Sequence, residues 1–112
     1  MLNHPDEWQL VKISGTDPHY RVFASWRGGY LDGDSWKLNS GIVSVKEDDK
    51  YYYFKGHSGS LYKCHKKSYG IRSPYNGSVL AGYVTGSQGT LEVIEDMPDV
   101  MNIDWIINGT RI

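Results

Sequence analysis

Lys50-Tyr51-Tyr52-Tyr53-Phe54-Lys55, then Gly56-His57-Ser58-Gly59, then Ser60-Leu61-Tyr62-Lys63-Cys64-His65-Lys66 is the stretch that decides the fold. Two aromatic, strand-like runs flank a break bounded by glycine. Aromatic and β-branched side chains suit a pleated, half-buried surface, and a short Gly-containing break between such runs reads as a β-hairpin. A two-residue turn, His57-Ser58 or Ser58-Gly59, would pair odd positions with even ones. One face would then carry Tyr51, Tyr53, Tyr62 and Cys64. The other would carry Tyr52, Phe54 and Leu61 together with Lys50, Lys63 and His65. A three-residue turn would change that combination.

The same grammar extends outward from the hairpin. Upstream, Trp8–Ile13 and Tyr20–Trp26 read as strands around a Ser14–Pro18 turn, because Gly15 tolerates positive φ and Asp17-Pro18 favours turn initiation. A glycine-rich loop covers 27–35. Residues 36–45 resume an extended pattern with a bulge expected at Gly41. Downstream, 68–77 is loop-like, and 78–84 and 90–94 read as strands. Asp96-Met97-Pro98-Asp99 can cap a short helical turn over 97–102, since proline suits the first helical position. Residues 103–107 read as a closing strand.

Composition agrees with this reading. The chain has 112 residues, with 39% hydrophobic and 22% charged, which fits a folded domain and argues against wholesale disorder. Thirteen glycines and nine tyrosines weigh against helix. The expectation is one mostly β domain spanning 1–112. Its architecture would be a small antiparallel β-barrel or strongly bent sheet of about six or seven strands, with at most the one helical turn. The absence of a long apolar run excludes a membrane-spanning helix. The single cysteine, Cys64, excludes an internal disulfide framework. The first seven residues carry no secretory pattern, so a cytoplasmic setting is expected.

Net charge is −1, but its distribution is uneven. Residues 1–49 sum to −3 and residues 92–112 to −4, whereas residues 50–91 carry +6 and no acid at all. That middle stretch also holds eight of the fifteen aromatics. A run of one sign projects a field towards an opposite partner, and lysines beside aromatic rings suit phosphates and bases. The candidate ligand-binding residues are therefore Lys50, Tyr52, Phe54, Lys55, Lys63, His65, Lys66, Lys67, Tyr69 and Arg72. The ordinary reading of such a pattern is aromatic core with lysine stems lying along it.

Other motifs are weaker. Cys64-His65 resembles the start of a nucleophilic dyad, but neighbours on a strand point to opposite faces. Cys64, His65 and His57 lack metal-site spacing, so no metal and no cofactor is expected. Gly56-His57-Ser58-Gly59-Ser60 fails the nucleophile-elbow pattern at position 60. Asp32 and Asp34, and Asp48 beside Asp49, read as turn formers. Trp8, Trp26, Trp36 and Trp105 read as core anchors, and Tyr30 and Tyr75 as exposed loop aromatics.

The expected function is a non-enzymatic binding module, with no catalytic residue, that engages an anionic macromolecule through residues 50–72. The partner would be a nucleic acid or an acidic protein surface. The alternatives are a self-complementary homodimer, in which acidic ends meet the basic middle, and a cysteine-dependent enzyme using Cys64 with a histidine.

Overall fold

The computed structural model describes residues 2–28 and 33–105. Among the described residues, eight strands form two four-stranded sheets. They are β1 (Leu2–Asn3), β2 (Glu7–Ile13), β3 (His19–Trp26), β4 (Ser35–Leu38), β5 (Ile42–Glu47), β6 (Tyr51–Gly56), β7 (Leu61–His65) and β8 (Leu91–Val93). The first sheet runs β1-β7-β6-β5 and the second β4-β3-β2-β8. All ladders are antiparallel except β1 with β7. The mostly β expectation holds, as two separate sheets rather than a closed barrel.

Strand alternation explains how the sheets stack. On β2 and β3, Trp8, Leu10, Val22 and Ala24 face the first sheet and meet Ile42, Tyr52, Phe54, Tyr62 and Cys64. Val100 and Trp105 complete this core. The opposite side of the second sheet presents Val11, Phe23, Leu38 and Leu91, and a helix covers it. The layers are thus first sheet, second sheet, helix, with aromatic edge contacts such as Trp8 to Tyr69 at 4.8 Å tightening the middle.

That helix, α1 (Pro74–Gly86), corrects the strand expected over 78–84. Three glycines and several β-branched residues make the segment look unhelical in isolation. Ser73 caps it by accepting from the Asn76 N–H, and Pro74 occupies the first turn. Asn76, Val79, Leu80, Tyr83 and Val84 then fall on one stripe at helical spacing, and Leu80 packs on Phe23 and Leu91. Tertiary burial overrides weak propensity here.

Two further expectations change. Residues 36–45 are not one strand but β4 and β5, in different sheets, joined through Gly41 at φ 122°. Residues 103–105 are not strand, and 106–107 lie outside the described residues. The helical turn expected near 97–102 is present as a 3-10 turn over Val100–Asn102. Among the described residues, no helix is long and apolar enough to cross a membrane.

Candidate functional site: the outer face of the first sheet

The hairpin closes with three loop residues, His57, Ser58 and Gly59, not two. Gly56 N–H donates to Ser60 O at 2.8 Å, Gly59 N–H returns to Gly56 O, and Gly59 takes φ 95°. A positive φ at the third loop position is the geometry a three-residue hairpin demands. Like therefore pairs with like: Tyr52 faces Cys64, Phe54 faces Tyr62, and Tyr53 faces Lys63. This corrects the odd-even face assignment. Tyr52, Phe54, Tyr62 and Cys64 share the inner face, and Tyr51, Tyr53, Lys55, Leu61, Lys63 and His65 share the outer one.

Strand β5 extends the outer face, with Ser44 opposite Lys55 and Lys46 opposite Tyr53. Leu2 adds to it beside Leu61. None of the outward side chains on these strands is a carboxylate. Among the described residues no element packs on this face, whereas both faces of the second sheet are covered.

The face is ordered by its tyrosines. Lys63 Nζ sits 4.3 Å above the Tyr51 ring, a cation–π contact. His65 and His4 approach the same ring edge-on, at 5.1 and 5.4 Å. Tyr53 instead donates its hydroxyl to Asp48 in the β5–β6 turn. A groove of about 670 Å³ lies beside it, lined by Ser44, Lys46, Glu47, Tyr53, Lys55, Gly59 and Leu61. At one end Glu47 is bound by Lys66 at 2.6 Å, and this contact raises the ammonium pKa above its ordinary value.

The sequence-derived candidates divide into four groups. Lys55, Lys63 and His65 lie on the outer face. Lys50 lies in the turn at its edge. Lys66 and Lys67 follow β7; Lys66 is engaged with Glu47, and the Lys67 N–H donates to His65 Nδ1. The remaining four lie elsewhere. Phe54 is 0% and Tyr52 9% exposed, so their rings are core, with Lys66 Nζ 4.9 Å from the Tyr52 ring at its rim. Tyr69 accepts from Leu10 N–H, donates to Ile94 O and packs on Trp8, and burial raises its phenol pKa. Arg72 precedes α1, on the helix side of the second sheet, where its N–H docks on Glu7.

Sequence reasoning missed Tyr53 and Lys46 on this face. The signal was the alternation of Ser44 and Lys46 with the half-buried Val43 and Val45. Lys46 was hidden because the charge count broke the chain between 49 and 50.

A second polar cluster sits at the start of α1, also unmarked in the sequence. Glu7 Oε1 accepts from Ser25 Oγ, Arg72 N–H and Ser73 N–H, and Arg27 lies 3.5 Å from Oε2. The Ser73 hydroxyl donates to Asp34, and Asn76 Nδ2 bridges Ser25 Oγ and Ser35 O. These bonds satisfy groups that burial would otherwise penalise and fasten the helix to the second sheet. Asp32 and Tyr30 lie outside the described residues.

Cys64 is fully buried against the core, and that burial pushes its thiol pKa well above the ordinary value. Such a sulfur is the reverse of an activated nucleophile. Among the described residues, no group of three or more His, Cys, Asp or Glu side chains is placed to hold a metal ion. Comparison with protein-family models, curated proteins and solved structures finds no match for this chain.

Proposed function

We propose that this chain is a non-enzymatic binding module that engages an anionic macromolecule through the outer face of the first sheet. The observation that carries this reading is the charge of that face: Lys46, Lys55 and Lys63 project from adjacent strands, and the carboxylates beside them, Glu47 and Asp48, are confined to the β5–β6 turn end. Lysines gathered on one face raise the local concentration of an anionic partner. The inward Cys64 speaks against a thiol-dependent enzyme.

The test is binding of a fluorescent polyanion followed by anisotropy across ionic strength. Each neutralised phosphate of a single strand contributes about −0.7 to the log-log salt slope, so three lysines give about −2. Replacing Lys46, Lys55 and Lys63 by glutamine should flatten the slope, whereas Arg72→Gln should leave it. No binding at low salt to either an oligonucleotide or an acidic polypeptide would overturn the reading.

A further inference from the structure

We infer that the anionic partner is a single-stranded nucleic acid, one base of which stacks at Tyr53 while Lys46 and Lys55 hold the flanking phosphates. This rests on the outer-face reading above and names its ligand.

The three consecutive tyrosines have three different fates. Tyr52 is spent in the core. Tyr51 is occupied, with Lys63 over its ring and two imidazoles at its edges. Tyr53 alone of the three lines the groove of about 670 Å³. A volume of that order accommodates a nucleotide-sized group, since ligand clefts run from roughly 300 to 1,000 Å³.

The ring is also held in advance. Its hydroxyl is tied to Asp48 Oδ2 at 2.7 Å, which restrains where the ring sits before a partner arrives. Lysines lie on two sides of it. Lys46 stands directly opposite on β5, and Lys55 is two residues further along the same face of β6. Lys46 and Lys55 are themselves diagonal neighbours across the β5–β6 pair, a spacing of about 7–8 Å, so both cations belong to the ring's immediate surroundings.

The groove is charged unequally along its length: Glu47 lines its turn end, with Asp48 beside it on the Tyr53 hydroxyl, and Lys55 lines its hairpin end. A phosphate is repelled from the first and drawn to the second. An acidic protein side chain would use the lysines but has no need of a flat ring. A base uses both, and stacking on aromatic rings tolerates any base.

The experiment compares a short oligothymidylate with an abasic strand of equal length, using the intact chain at low salt. Both carry the same phosphates, and only one carries bases. The oligothymidylate should bind roughly tenfold more tightly, as expected for one stacked base. Tyr53→Leu should bring it down to the abasic level and leave abasic binding unchanged. Tyr53→Phe, which keeps the ring, should retain most of the difference. Equal binding of the two strands to the wild-type chain overturns this inference and leaves the charge-based reading standing. Binding of an acidic polypeptide but of neither strand also overturns it. Failure of every polyanion to bind overturns both readings.

Discussion

The Tyr53 hydroxyl donates a 2.7 Å hydrogen bond to Asp48 Oδ2, so a ring on the open face is tied to the turn that starts its own strand. The other Asp48 oxygen accepts from the N–H groups of Lys50 and Tyr51. One carboxylate thereby fixes both the turn and the platform.

This arrangement has a pH signature. The Tyr53 bond, then the two backbone bonds, lower the Asp48 carboxyl from 3.8 to about 2. A depressed folded-state pKa gives stability that is present above 3.8 and lost as pH falls through about 2. The same bond raises the Tyr53 phenol above 10.0, so its contribution is complete below 10.0 and lost as pH rises through the raised value. Thermal melts between these two acid limits should fall more steeply for the wild-type chain than for Asp48→Asn. Equal slopes would refute the coupling.

The cluster beneath α1 predicts a second result. Ser73→Ala removes the cap on Asn76 N–H and the partner of Asp34, and should cost about 1–2 kcal/mol. Glu7→Leu strands the N–H groups of Arg72 and Ser73 in a buried site and should cost about 3 kcal/mol or more. Urea denaturation measures both. Wild-type midpoints for the two variants would show that these bonds do not secure the helix.

The helix also offers a gain. A Cβ added at Gly77 or Gly82 meets nothing within 4 Å, and neither glycine has positive φ. Alanine at each should stabilise by about 0.5–1 kcal/mol through reduced chain entropy and better propensity. A lower midpoint in the same urea experiment would contradict the helical assignment of this segment.

Adjacent residues on β6 should respond in opposite ways. Phe54→Ala opens a cavity against Trp8 and Trp105 and should cost about 3–5 kcal/mol. Lys55→Ala should change stability by no more than ~0.5 kcal/mol. Cys64, next to His65, should resist iodoacetamide in the native chain and react once it is unfolded. Rapid native alkylation would place the thiol at the surface instead.

The β2, β3 and hairpin strands were legible because alternation and glycine breaks are local signals. The register was not, because it turned on whether the loop held two residues or three. That one residue decides which aromatics face the core. The helix was misread because its glycines and β-branched residues outweighed a quieter pattern, Ser73-Pro74 followed by the 76, 79, 80, 83, 84 spacing. Its stability comes from Phe23, Leu38 and Leu91, residues distant in sequence. The candidate site was visible as charge but not as geometry. A linear count included Arg72, on another face, and left out Lys46, which the β5–β6 pairing brings opposite Tyr53.

Alternation along β6 separates two kinds of change. Tyr52 and Phe54 answer to the interior, while Tyr51, Tyr53 and Lys55 answer to whatever lies outside. A library varying only the outward positions of β5, β6 and β7 would explore new recognition surfaces on an unaltered scaffold. The middle sheet, clasped on both sides, would carry the folding while the open sheet is rewritten.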